Sequence, residues 1–230
     1  MFETAFMHTQ VFCIIMASIT FIACSSSDNN DDFSPQSEYL PIANATVSLP
    51  PDVGSISLLS QNFDLGDVGY QQTEFFIEGT ASAFTNVSEL GSDGFWVLEP
   101  AEQAAYKTRI VVYSPVDPAD FNGIVQMEWL NVTAGFETPP SWGTGQLEMR
   151  RGGSVWVGVS AQLIGIEGND RGLLPLHLKA VDLARYGSLF HPGDSFSYDM
   201  FSQVANAIRN PGAIDVLGGL TAEYIIAYGE

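Results

Sequence analysis

The chain has 230 residues, 46% of them hydrophobic and 15% charged, which is ample for a buried core and excludes a disordered tail as its main content. Its 27 acidic residues against 8 basic ones leave a formal charge of -19, which excludes nucleic acid and electrostatically bound anionic lipid as partners, since both need clustered cations. The imbalance is uneven, because residues 1–106 hold 14 acids and no Lys or Arg while 107–230 hold 13 acids and all 8 bases; a solvated acidic surface accounts for it.

Taken from the start, Val11–Ala23 (VFCIIMASITFIA) is an apolar run followed at once by Cys24 and the polar stretch SSSDNNDD. The run is too short for a membrane span, which takes about 20 residues, and suits the hydrophobic part of a signal peptide. Phe21-Ile22-Ala23-Cys24 resembles a bacterial lipobox, in which the cut falls before a cysteine that then carries lipid. The expected organisation is a signal peptide over 1–23, a Ser/Asp/Asn-rich tether over 24–39, and a globular segment over 40–230. Cys13 would leave with the signal and Cys24 would be lipidated, placing the protein in the cell envelope with no thiol left for a disulfide, metal or catalysis.

Within the globular segment, Glu74–Phe84 reads as a strand with Gly79 as a bulge position, and Thr108–Tyr113 as a strand ended by Ser114-Pro115. Asn122-Gly123 is a turn signal before the strand Ile124–Leu130. Trp142–Arg151 has helical spacing and Gly152-Gly153 stops it. Val155–Val159 is a strand apolar on both faces. Ser195–Arg209 is an amphipathic helix with Asp194 as its expected N-cap and Asn210-Pro211-Gly212 as its end. Tyr224–Tyr228 is a last apolar strand running into Gly229-Glu230. An initial run of strands, then strand, helix, strand, helix, strand, predicts an α/β protein with a mostly parallel sheet and flanking helices. Ligands of such sheets lie beyond the carboxyl ends of the strands, which singles out the loops Asn131–Gly135 and Ala161–Gly168 and whatever follows Glu230.

A strand leading into Gly-x is what precedes a nucleophile elbow, Gly-x-Ser-x-Gly, where Gly229 and Glu230 would take the first two places. Several stretches strengthen this. EWLNVT, WVGVSAQ, RYGSL-x-HPGD-x-FSYD-x-FSQ and the terminal YGE resemble the blocks of one family, the α/β-hydrolase-domain proteins of bacteria, many of them secreted. The resemblance covers roughly residues 45–230. It implies the N-terminal part of an α/β-hydrolase fold, incomplete in this sequence and ending just before the nucleophile serine. By the same resemblance the complete protein is a serine hydrolase acting on carboxylic esters or related acyl bonds, with a small-molecule ester-like substrate and no cofactor. The catalytic residues would then be absent from this chain, which would be an inactive fragment. The serine is activated by His, the His is oriented by an acid, and backbone N–H groups hold the oxyanion.

One oxyanion donor in the superfamily lies in the loop after the third strand, which here falls at Asn131 or Val132; Asn131 can equally serve as a cap on the strand end. Superfamily order is Ser, acid, His, so His8, His177 and His191 all precede the elbow and none is the triad histidine. His191, between Phe190 and Pro192, reads as a loop or packing residue, and Glu128 as a buried, paired carboxylate. Gly193-Asp194-Ser195-Phe196 resembles the Gly-Asp-Ser-Leu block of another esterase superfamily, yet no strand precedes it and no His follows residue 191. No His/Cys/Asp grouping has zinc or calcium-loop spacing. The competing class is a non-catalytic cell-surface lipoprotein, a binding or structural module touching the membrane through its lipid alone.

Overall fold

The structure, a computed structural model, describes residues 41–93, 96–168 and 175–229. The expected signal peptide, the tether with Cys24, His8 and Glu230 lie outside the described residues. Among the described residues six strands form one sheet: β1 (Thr46–Ser48), β2 (Tyr70–Asn86), β3 (Leu98–Pro115), β4 (Ile124–Trp129), β5 (Val155–Val159) and β6 (Tyr224–Gly229), in the spatial order β1-β2-β3-β5-β4-β6. β1, β2, β3 and β5 pair antiparallel in sequence, while β5, β4 and β6 run parallel. The α/β expectation holds, but the sheet is mixed and not mostly parallel: of its five described pairings three are antiparallel and two, β5 with β4 and β4 with β6, are parallel, because the long β2–β3 hairpin adds antiparallel strands to one side.

Helices cover both faces. Five α-helices are described: α1 (Pro140–Gly152), α2 (Leu163–Glu167), α3 (Leu178–Val181), α4 (Leu183–Tyr186) and α5 (Ser197–Arg209). Period-2 alternation sorts the strand residues between the faces. Ile110, Val112, Val125, Met127, Val155, Val157 and Val159 turn to one face and pack with Met200, Val204 and Ile208 of α5. Val111, Tyr113 and Trp156 turn to the other and meet Trp142 of α1, while Phe76 packs with Ile166, Leu178 and Tyr186. β5 is buried at every position, as its unbroken apolar run requires. In β6, paired with β4 among the described residues, Tyr224 and Ile226 are exposed.

Three local expectations change. β3 is much longer than Thr108–Tyr113, because backbone pairing with β2 carries it through the polar stretch from Leu98. The register shift between β2 and β3 falls between Ser82 and Phe84 and not at Gly79, which pairs in register with Tyr106. Gly79 answers a different demand: a Cβ there would stand 2.9 Å from Gln203 Oε1 and 3.3 Å from the Tyr106 ring, so its bareness lets α5 lie close to the sheet. Asp194 does not cap α5. Residues Asp194–Phe196 form a single 3-10 turn, α5 begins at Ser197 without a side-chain cap, and the Asp194 carboxylate accepts the Leu163 N–H at 2.8 Å.

Candidate functional site

Trp129, Val159 and Gly229, the last residues of the three parallel strands, stand level: Trp129 pairs with Val159 on one side and with Gly229 on the other. Beyond this rim lies a crevice of about 520 Å³ lined by Trp129, Gln162, Tyr198, Phe201, Tyr228 and Gly229. The Trp129 ring meets those of Tyr198 and Phe201, both at 5.3 Å between centroids, so α5 supplies an aromatic wall. Gly229 faces Trp129 so closely that a Cβ there would come within 2.8 Å of the Trp129 Cβ. Only a residue without a side chain fits where β6 reaches the rim.

The loop after β4 shows what each predicted oxyanion residue does. Asn131 exchanges two backbone hydrogen bonds with Thr138, N–H to O in each direction at 2.9 Å, and its Oδ1 accepts the Thr133 N–H. The Asn131 N–H is thereby spent within the loop, and Asn131 does the strand-end capping that its residue type allows. Val132, buried, follows at the bend, where its carbonyl accepts the Gly135 N–H at 2.9 Å.

The loops that follow β4 and β5 are tied down by a buried ion network that sequence reasoning missed. Arg109 of β3 is fully buried and donates from Nη1 to Glu74 Oε1 (2.9 Å), from Nη2 to Glu137 Oε2 (2.6 Å) and from Nε to Ser160 Oγ (3.1 Å). Arg185 of α4 binds the other Glu74 oxygen through Nε (2.7 Å) and Nη2 (2.6 Å), and the Tyr186 hydroxyl donates to Glu74 Oε1 at 3.0 Å. Burial alone would lower the Arg109 pKa, but Glu137, Tyr186 and Glu74 outweigh it and hold the guanidinium above its ordinary value. Glu137 belongs to the loop after β4 and Ser160 to the loop after β5. One arginine thus fixes both loops that border the rim. Among the described residues the buried Glu137 Oε1 atom has no hydrogen-bond partner, and there that carboxylate depends on Arg109.

Glu128, fully buried on β4, is a helix cap from a distance. Its Oε1 accepts the Ser141 N–H (2.7 Å), and its Oε2 accepts the Trp142 N–H (3.0 Å) and Trp156 Nε1–H (2.8 Å). Ser141 and Trp142 lie in the first turn of α1, whose N-cap, Pro139, makes no side-chain cap of its own. The carboxylate therefore takes orphan donors at the positive end of the helix. Tyr228 lies in register with Glu128 on β6; burial and then the Glu128 charge push its phenol pKa up.

His191 is a packing residue. Its Nδ1 accepts the Gly193 N–H at 3.2 Å, so Nε2 carries the proton and donates to Ala161 O at 3.0 Å. Burial lowers its pKa in spite of the raising effects of Ala161 O, Asp194, Glu167 and Glu137. A folded-state pKa below the unfolded value means that the unfolded chain takes the proton more readily. The contribution to stability is complete above the unfolded pKa of about 6.5 and is lost as pH falls below it. Denaturation midpoints should therefore drop between pH 7.5 and 5.5, and His191→Gln should flatten that fall; an unchanged slope would assign the acid loss to other groups. Ser195 is exposed in its 3-10 turn, and His177 precedes α3. No hydrogen bond joins the two among the described residues.

Among the described residues no helix is long and apolar enough to cross a membrane. A family model described as alpha/beta hydrolase domain matches residues 41–230. No curated protein and no solved structure matches the chain.

Proposed function

Since the chain belongs to the alpha/beta hydrolase domain family, we propose that it supplies the front half of a serine hydrolase site for carboxylic esters or related acyl bonds. The observation that carries the reading is Gly229. It ends a parallel strand beside β4, and its position admits no Cβ against Trp129. A chain that must turn sharply to raise a nucleophile above the sheet needs such a residue two places ahead of the serine. Gly229 and Glu230 are the approach to the elbow, and the serine is the residue after Glu230.

In this reading the serine attacks the ester carbonyl, a histidine from the following half takes its proton, and the collapsing intermediate expels the alcohol. Val132 offers its N–H to the oxyanion from the loop after β4, and the residue after the serine offers the second. In this reading the acid and histidine follow the serine in chain order. The test is a fluorophosphonate probe on the natural full-length product, followed by peptide mapping. An adduct on the serine after Glu230 is expected. Modification of another residue, or none with the fold intact, would overturn the reading.

Lipid anchorage at Cys24, in the cell envelope, belongs to the same proposal and rests on Phe21-Ile22-Ala23-Cys24. Cells fed a tagged fatty acid should label the protein, and Cys24→Ala should abolish the label; persistent labelling would place the lipid elsewhere.

A further inference from the structure

The β2–β3 hairpin outruns the sheet. β3 meets the last residue of β5, Val159, at Ile110, and its backbone still bridges Phe190 at Lys107. From there β3 and β2 go on together as far as the pair Leu98–Asn86, roughly 30 Å of two-stranded arm at about 3.4 Å per residue. β3 runs antiparallel to β5, so the arm projects past the carboxyl ends of the parallel strands, the side on which the crevice lies. It is fastened to α5, with the Ser82 N–H donating to Asp199 Oδ2 at 2.7 Å and Gln203 Nε2 donating to Thr80 O at 2.8 Å.

Past these fasteners the arm, polar along much of its length, presents an apolar patch towards α5. Phe84, Leu90, Trp96 and Leu98 face Tyr198 across a second groove of about 520 Å³. Tyr198 also lines the crevice at the rim, so one aromatic residue borders both spaces. Such a groove on an exposed arm is a binding surface in want of an occupant. The charge pattern selects the chemistry. No Lys, Arg or His is among the described residues lining either space, and Asp194, the carboxylate at the groove, is engaged with the Leu163 N–H. No cation there would receive a phosphate or carboxylate, and although Asn86, Asp194 and Ser195 share the groove, its aromatic and aliphatic side chains suit a hydrocarbon chain.

We infer that the arm and α5 together bind the apolar chain of an uncharged ester, whose carbonyl sits at the rim by Trp129 and Gly229 and whose chain passes Tyr198 into the groove under Trp96. The inference rests on the hydrolase reading and adds the substrate class to it. The full-length protein is titrated calorimetrically with uncharged, non-hydrolysable ester mimics, the series from methyl ethyl ketone to methyl decyl ketone. Affinity should climb roughly two- to fourfold for each methylene until the groove is filled. Trp96 and Leu90 are each 53% exposed, so Trp96→Ser with Leu90→Ser spares the core. That variant should lose about tenfold or more for the longest ketone and nothing for the shortest, whereas Tyr198→Ala, at a residue that borders both spaces, should weaken every ketone and the longest most. An affinity flat with chain length, or an equal climb in the variants, overturns the inference. Fluorophosphonate labelling of the same samples separates the two readings. Labelling with a flat profile leaves the hydrolase standing and removes the arm from its substrate site. A climbing profile without labelling makes the groove an apolar site unconnected with ester cleavage, which also overturns it. A flat profile with binding to phosphatidylcholine vesicles, lost in the Trp96/Leu90 variant, would make the arm a membrane contact instead.

Discussion

Replacing Arg109 with methionine should lower unfolding stability by about 3–5 kcal/mol, the cost of leaving a buried charge without its partner. Methionine fills much of the space, so packing loss is a minor part of that figure. The injury falls unevenly on the two carboxylates. Glu74 keeps Arg185 and Tyr186, but Glu137, whose Oε1 has no partner among the described residues, loses the guanidinium on Oε2. Neutralising it as well, with Arg109→Met and Glu137→Gln together, should recover about 1–3 kcal/mol, because a buried amide left unpaired costs less than a buried charge. Denaturant titration of the two single variants and the double completes the cycle. A loss below about 1 kcal/mol for Arg109→Met would mean that water reaches Glu137 once the arginine is gone. The loops carrying Glu137 and Ser160 should loosen in the same variant, and their amides should exchange sooner than those of β5.

Glu128→Leu should cost about 3–4 kcal/mol, since two first-turn N–H groups of α1 and the Trp156 indole N–H lose their acceptor at once. Water can reach the half-buried Ser141, so most of the cost falls on Trp142 and Trp156, both fully buried. Their rings pack together with Tyr113, at 5.5 Å between the indoles and under 5 Å from each to the phenol. The near-ultraviolet circular dichroism of this cluster should weaken along with stability. Glu128→Gln retains one carbonyl oxygen and should lose about half as much, because charge-assisted hydrogen bonds are roughly twice as strong as neutral ones. If Gln and Leu cost the same, the charge at the end of α1 would be the whole effect and the acceptor geometry none of it.

Much of this architecture is legible in the amino-acid order. Continuous apolar runs mark β5 and β6, a run broken by Gln126 and Glu128 marks β4, the Gly152-Gly153 pair marks the end of α1, and an apolar stripe marks α5; Gly153 indeed closes α1 in the left-handed region, with φ 77°. These signals are local, set by side-chain periodicity and by the bareness of glycine. What stays hidden depends on partners far along the chain. The polar first half of β3 has no apolar alternation, and pairing with β2 alone makes it a strand. The Asp194 carboxylate reads as a cap because an acid before a helix usually is one, yet an N–H of α2 reached it first. Glu74 and Arg109 do carry a faint signal, each being a charged residue directly before an apolar run of its strand. Their partners Glu137 and Arg185 sit in loop and short helix, with nothing in the spacing to join the four. At the site, Gly229 was legible from the strand before it, and the arm groove was not, since it exists only where a hairpin overshoots its sheet.

The strand order has a consequence for synthesis. β4 is made directly after β3 but does not pair with it; β5 lies between them, and β6, the other neighbour of β4, comes later still. As the chain leaves the ribosome, the hairpin of β2 and β3 can close on itself, while β4 waits with both edges open until Val155–Val159 has emerged. At about 5–20 residues per second that wait lasts roughly 2–6 s, with Val125 and Met127 uncovered throughout. Nascent chains of this length are thus natural clients for ribosome-bound chaperones. A codon run that slowed translation between β4 and β5 would prolong the exposure, whereas a pause placed after β5 would fall when the centre of the sheet can already close.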